Sequence, residues 1–386
     1  MSLTPPVSPP ICWSAARRAR STAADRSRIE TRDNRGDRDV GIRRFIEKLL
    51  VTLLVRLPRR WLLWLSGSQP RQLEGKTLDA QVQFLMALAA KRPTIDKLPL
   101  DAGRQMYRDM TYSFGGRKRQ MSRVEERRAP GPAGDVPMRL YVPEGLPAGP
   151  APMLVFFHGG GFVIGDIPSY DLTCRYIADV ARCQVLSVEY RLGPEHVYPA
   201  AIDDCVAAWR HISGNPADFG ADPARIGVAG DSAGGHLSAV VCQQAKWYGL
   251  PLPCHQVLIY PVVDISRERP SHQTYGEGFL LTRDLMHWFM AKFLPDWVDR
   301  TDPRVSPLLW QDKSGLPPAT VVVAGFDPLQ DEGRDYAEAL KAAGVPVTLL
   351  SCDSLIHGFI SMPGVVEAAD KALQDICAET RKGLAA

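Results

Sequence analysis

Six apolar runs constrain this chain more than any other feature: PMLVFFH (152–158), CQVLSVEYR (183–191), RIGVAG (225–230), HQVLIYPVV (255–263), ATVVVAG (319–325) and PVTLLSC (346–352). Each is apolar at successive positions rather than at alternate ones, so a strand made from it must be covered on both faces. Helical patterns fill the intervals between the runs. Strands alternating with helices build a mostly parallel sheet with helices on both sides, which makes the expected fold class α/β. Ahead of this series, VEERRAP and VPMRLYVP, separated by GPAG, read as a β-hairpin.

The first 112 residues have a different texture. Residues 1–40 hold eight Arg, no Lys and five acids, carry few large apolar residues and show no period, so disorder is expected there. They have no apolar core of the length a secretory signal needs, and a translation start near Val40 is an alternative. From Arg43 to Leu57, the residues Phe45, Ile46, Leu49, Leu50, Leu53, Leu54 and Leu57 follow helical spacing, with Arg44, Lys48, Thr52 and Val55 on the other side. Pro58 stops that helix, and WLLWL follows at 61–65. Neither segment has the ~18–20 uninterrupted apolar residues that span a bilayer. Residues 43–65 therefore read either as a membrane-surface element or as helices packed on a core or across a homodimer interface, with packing preferred. Residues 78–89, with Leu78, Val82, Leu85, Met86 and Ala89 in helical register, read as a further helix capped by Thr77.

Charge excludes one class of function. Outside residues 1–40 the chain has 38 basic and 38 acidic residues, so no basic face points to nucleic acid. The eight cysteines form no C-x-x-C pair, H-E-x-x-H is absent, and no G-x-G-x-x-G opens a βαβ unit. No metal and no cofactor is expected, and a reduced, cytoplasmic chain is the default reading.

The run RIGVAG leads directly into Gly230-Asp231-Ser232-Ala233-Gly234, with a helical pattern from about Ala233 to Trp247 behind it. G-x-S-x-G at a strand-to-helix turn lifts a serine hydroxyl clear of the backbone, because glycine two positions to either side lets neighbouring chain pass. A serine needs a base and an orienting carboxylate. Asp327 ends the run ATVVVAGF, and His357 follows VTLLSCDSLI, giving the order Ser, Asp, His. Asp331, Glu332 and Asp353 are rival carboxylates, the first two a turn later and the third at the end of the strand that carries the loop. Among the other histidines, His158 reads as bracing its own glycine loop and His236 as lying on the helix behind Ser232.

Three glycines in FFHGGGFVIGD find a use in this setting. Acyl transfer develops negative charge on the former carbonyl oxygen, and backbone N–H donors aimed at that point are worth ~10²–10³ in rate each. Side chains would block the approach, so Gly160 and Gly161, joined by Ala233, are the expected oxyanion donors. Gly159 is assigned to the turn.

Taken together, HGGGF, VEYRLGPEHVYPA, GDSAGG, DPLQDEG and HGF, in this order, resemble the hormone-sensitive-lipase-like, or bacterial family IV, esterases of the α/β-hydrolase superfamily. The likeness covers about residues 76 to 380; YRLGPEH has Gly193 where the family usually has alanine. It implies an α/β-hydrolase fold in which 41–112 form a helical cap, 113–386 the catalytic domain, and 262–300 return to the cap. It also implies hydrolysis of short- to medium-chain carboxylic esters by Ser232, Asp327 and His357 without a cofactor. Phe279 and Leu280, with Trp288 and Phe289, are candidate walls of an acyl pocket, or side chains that pack the cap on the sheet. A related plant hormone receptor binds a small molecule on this fold without turnover, but that reading requires the histidine to be lost.

Overall fold

The computed structural model describes residues 49–67 and 69–385. The expectations for residues 1–40 and for the start of the helix from Arg43 lie outside the described residues. A short antiparallel pair, β1 (Gln72–Leu73) and β2 (Lys76–Thr77), precedes the main sheet. That sheet comprises β3 (Met121–Gly131), β4 (Gly134–Pro143), β5 (Ala151–Phe157), β6 (Gln184–Val188), β7 (Ala221–Asp231), β8 (Gln256–Ile259), β9 (Ala319–Phe326) and β10 (Val347–Ile356), in the order β10-β9-β8-β7-β5-β6-β4-β3. Every pairing from β10 across to β6 is parallel, and the hairpin β3–β4 joins β6 antiparallel.

Alternation along the strands explains why the runs are continuously apolar. In β5, Met153, Val155 and Phe157 enter one core with Trp209, Leu237 and Tyr336, whereas Leu154 and Phe156 enter a second core with Tyr170, Ile177 and Leu373. Successive side chains thus serve opposite faces, and both faces are covered. One expectation needs correction. β10 has Thr348, Ser351 and Asp353 exposed, because it is the outer strand and has a neighbour on one side only.

Helices α1 (Arg59–Leu65), α2 (Ala80–Ala89), α3 (Leu100–Phe114), α4 (Ile167–Ala181), α5 (Ala200–Gly214), α6 (Ala233–Tyr248), α7 (Pro270–Thr274), α8 (Arg283–Phe293), α9 (Gln330–Ala342) and α10 (Glu367–Gly383) complete the described elements, apart from short 3₁₀ turns and the helical residues 49–54. α2 is capped by Asp79, whose carboxylate accepts from the amides of Gln81 and Val82. Thr77, the expected cap, pairs in β2 instead. In segment 49–57 the packing face is inverted relative to expectation. Val55 is buried and Val51 half-buried against the body, while Leu49, Leu50, Leu53, Leu54 and Leu57 face outward. The Val51–Val55 stripe is apolar too, and the amide of Gln81 secures it by donating to the Val55 carbonyl at 2.9 Å.

A third apolar cluster lies over one end of the sheet. Val163, Ile164 and Leu329, on loops that follow β5 and β9, are covered by Leu281 and Phe289, with Ile95, Leu100 and Tyr107 from the N-terminal segment packed alongside. The N-terminal helices and part of the 262–300 segment therefore meet on the same loops. Those loops follow the carboxyl ends of parallel strands, where open α/β sheets form their crevices.

Candidate active site

β7 stops at Asp231 and α6 starts at Ala233, so Ser232 is the whole of the turn between them. Its backbone takes φ 55° and ψ −118°, a conformation that side chains rarely adopt and that concentrates at functional sites. The turn is sharp enough that a Cβ on Gly234 would lie 1.9 Å from the Phe157 carbonyl oxygen. The spacing of the motif is thus a steric requirement of the turn.

Ser232 Oγ lies 2.9 Å from His357 Nε2, and His357 Nδ1 lies 2.8 Å from Asp327 Oδ2. Asp327 is fully buried, and its other oxygen accepts from the Leu329 amide at 2.9 Å. A carboxylate can only accept, so Nδ1 carries the proton and Nε2 is left to accept from the serine hydroxyl. The rival acids are engaged elsewhere. Asp331 accepts from the Ser271 amide, Glu332 from the amides of Val263 and Asp264, and Asp353 from the Ser351 hydroxyl at the exposed sheet edge. Tyr260, which directly follows β8, packs its ring 4.5 Å from the His357 ring and limits where the imidazole can move.

The glycine loop is held from behind. The Gly159 amide donates to Asp231 Oδ1 at 2.9 Å and contacts the Tyr170 hydroxyl at 3.0 Å. Tyr170 in turn donates to Asp231 Oδ2, and Tyr107 on α3 reaches Tyr170 at 2.8 Å. Burial pushes the Asp231 carboxyl up to about 6. Gly160 and Gly161 have φ of 116° and 59°, and a Cβ on Gly160 would lie 2.1 Å from the Ile164 carbonyl oxygen. Neither their amides nor that of Ala233 meet a protein acceptor among the described residues, so all three donors remain available. His158 stacks on Tyr190 at 4.3 Å, contacts the Gly159 carbonyl through Nδ1 and is lowered to about 4 by burial, which fits a brace rather than a base. Both ring nitrogens of His236 face main-chain carbonyls, of Val262 and Arg304.

Two arginines one helical turn apart on α3 tie the N-terminal helices to the same loop. Arg104 donates to the Val163 and Gly193 carbonyls and makes a bidentate pair with Glu195 at 2.8 Å. Arg108 pairs with Asp166, which caps α4. Between them opens a polar cavity of about 380 Å³ that also exposes Glu189. Glu189 accepts from the Ile167 amide at 2.6 Å, and burial pushes its carboxyl up to about 7 from 4.5. A carboxyl raised in the folded state stabilises fully below its unfolded value and loses that contribution as pH rises through the folded value. Glu189→Gln should therefore match wild type near pH 4.5 and exceed it above pH 7. About 1–2 kcal/mol is expected once partial solvent screening is allowed for. Melting temperatures at pH 5 and pH 8 check this; an equal difference at both pH values would overturn it.

The candidate pocket residues divide. Leu280 lies against Gly358, next to His357: a Cβ there would sit 3.5 Å from its Cδ2. Phe289 covers Gly161 so closely that a Cβ on that glycine would fall 2.3 Å from its ring. Phe279 packs on Phe326 and Tyr275, with the Arg71 guanidinium 4.1 Å above its ring. Sequence reasoning missed Asp231, Tyr170, Tyr107, Tyr260 and Arg104. Of these, only Asp231 lay inside a recognised motif. No group of three His, Cys, Asp or Glu side chains is arranged to hold a metal ion among the described residues.

Comparison with known proteins follows the same lines. A family model described as the alpha/beta hydrolase fold matches residues 154–361. Carboxylic ester hydrolase LipN of Mycobacterium tuberculosis is 44% identical over 77% of this chain and 81% of its own length. Ethyl acetate hydrolase of Pseudomonas putida is 41% identical over 62% of this chain and 76% of its own. Among solved structures, an ester hydrolase from the metagenome of Lake Arreo, bound to a bipyridine phosphonate derivative, superposes with a TM-score of 0.77 at 43% identity, covering 80% of this chain and 100% of that one. An esterase of the archaeon Pyrobaculum calidifontis gives 0.73 at 34%, covering 79% and 98%. With the elbow, the glycine loop and the ordered Ser, Asp and His already in place, these likenesses establish that the chain belongs to the α/β-hydrolase fold family, within its hormone-sensitive-lipase-like esterases.

Proposed function

We propose that the chain is a serine carboxylesterase that cleaves short- to medium-chain carboxylic esters through an acyl-enzyme. The observation that carries this reading is the continuous chain of contacts from Ser232 Oγ through His357 to the buried Asp327. His357 Nε2 takes the hydroxyl proton as Ser232 Oγ attacks the ester carbonyl, and Asp327 stabilises the imidazolium that forms. The amides of Gly160, Gly161 and Ala233 receive the developing oxyanion. Collapse of the tetrahedral intermediate breaks the bond to the alkoxy oxygen, which leaves as alcohol with the proton from His357. Water then repeats the sequence on the acyl-enzyme, with His357 removing its proton and returning one to Ser232.

The N-terminal helices together with 262–300 act as the helical cap, and Phe289 and Leu280 bound the acyl end of the pocket. Phe289 over Gly161 supports a limited acyl length. The seven free cysteines among the described residues, most of them buried, suit a reducing, cytoplasmic setting. Hydrolysis of p-nitrophenyl esters from acetate to palmitate tests the specificity. Activity is expected to be highest between acetate and octanoate and to fall at least tenfold by palmitate; a maximum at palmitate would overturn the chain-length assignment. A non-catalytic binding role has no supporting observation, since the histidine it must lack stands 2.9 Å from the serine.

A further inference from the structure

Segment 49–65 presents an apolar surface that the body of the protein does not cover. Leu49, Leu50, Leu53, Leu54 and Leu57 are 37–54% exposed, and Trp61 and Trp64 are 47% and 70% exposed. Trp61 and Trp64 pack edge to face, with ring centroids 6.0 Å apart, so the two indoles form one raised feature. Scattered exposed leucines are ordinary, but a cluster of this kind on two successive helical segments marks a contact surface.

The underside of the same segment is fixed. Val55 and Leu62 are buried, and Gln81 and Gln83 of α2 donate to the carbonyls of Val55 and Gln69. The outward face is therefore not a core face that has slipped out of place.

Charge selects the occupant. Between Lys48 and Leu73 there is no acidic residue, and Arg56, Arg59 and Arg60 are all exposed without an ion-pair partner among the described residues. Leucine and tryptophan bordered by arginines that no acid neutralises, Arg60 lying over the Trp61 ring, match the boundary between acyl chains and anionic headgroups: indoles settle at the headgroup level and each arginine gains from the negative surface. A second copy meeting this segment with its own segment 49–65 would set arginine against arginine, with no acid within either segment to offset the charge. No described helix is long and apolar enough to cross a membrane, so the contact is one of lying on the surface.

We propose that residues 49–65 dock the protein on a lipid surface that carries anionic headgroups. The platform is joined to the candidate site. Arg71 donates to the Gly278 carbonyl, two residues before Leu280 beside His357, and the Asp79 amide donates to the Ser354 carbonyl on β10, three residues before His357. Docking therefore places the site next to esters dissolved in the lipid.

The test is co-sedimentation of the full chain with vesicles of phosphatidylcholine alone and of phosphatidylcholine mixed with phosphatidylglycerol. Binding to the mixed vesicles is expected to be at least tenfold tighter, and to fall when salt is raised to about 0.5 M. Leu53→Glu/Leu57→Glu/Trp64→Glu should lose binding to both, while Arg56→Ser/Arg59→Ser/Arg60→Ser should lose only the preference for the anionic vesicles. Hydrolysis of soluble p-nitrophenyl butyrate should stay within twofold in both variants, which separates failure of docking from failure of the esterase reading. Equal binding to the two vesicle types, or full binding by the leucine-tryptophan variant, would overturn the proposal. So would a dimer in sedimentation velocity that the same variant dissociates, without vesicle binding by wild type.

Discussion

Ser232→Ala is expected to lower kcat for p-nitrophenyl butyrate by about a million-fold and to leave the protein folded, as measured by circular dichroism and the melting temperature. The size follows from how the serine is used. With the hydroxyl gone, His357 has no proton to take and the two-step route through an acyl-enzyme is closed; what remains comes from the oxyanion donors and binding alone. The fold is spared because the Oγ has a single partner among the described residues, His357 Nε2, while the turn itself is held by the backbone. The Ser232 amide donates to the Ile259 carbonyl at 2.9 Å, and its carbonyl accepts from His236. The methyl group of alanine fits where Cβ already lies. Activity within tenfold of wild type would remove Ser232 from the chemistry.

Asp327→Asn should cost about ten thousand-fold in kcat with little change in KM. The amide nitrogen of asparagine can donate to Nδ1, which favours the imidazole tautomer with its proton on Nε2, where it can no longer accept from Ser232. No charge then balances the imidazolium. The control is Asp353→Asn: Asp353 is close to His357 in sequence but sits on the exposed strand edge with Ser351 and near Arg334, so its loss should change kcat less than twofold. If the two substitutions had equal effects, the assignment of Asp327 would fall.

The meeting of Ser232, Asp327 and His357 was legible in the sequence for a specific reason. Ser232 and Asp327 each follow a run apolar on both faces, His357 follows an outer strand that is apolar only in part, and the ends of parallel strands converge in space even when 95 and 30 residues separate them along the chain. The rival carboxylates could not be dismissed from spacing alone, because Glu332 is excluded by the amides of Val263 and Asp264, which lie far away in sequence. Nor could Tyr170 and Tyr107 be foreseen: each looks like an ordinary helical aromatic, and only the crossing of α3 over α4 brings their hydroxyls together. Segment 49–57 shows the limit of periodicity. It carries two apolar stripes, and the stripe richer in leucine faces outward while the narrower valine stripe packs. Phe279 and Phe289 show the same limit, since both are aromatic residues of segment 262–300, yet only the second lies on a glycine of the loop after β5.

Asp231 joins two parts of the candidate site that reach it by separate routes along the chain. Its backbone is bonded directly to Ser232, while its carboxylate holds the first amide of the glycine loop. The Ser232 hydroxyl and the proposed oxyanion donors are thus referenced to one residue, much as two jaws of a gauge are cut on one bar. A displacement of the elbow that kept this hydrogen bond would carry the loop with it, so the separation between jaws would change less than either position. The registry of the two is thus fixed by one carboxylate and one amide, rather than by the 72 residues that separate them along the chain.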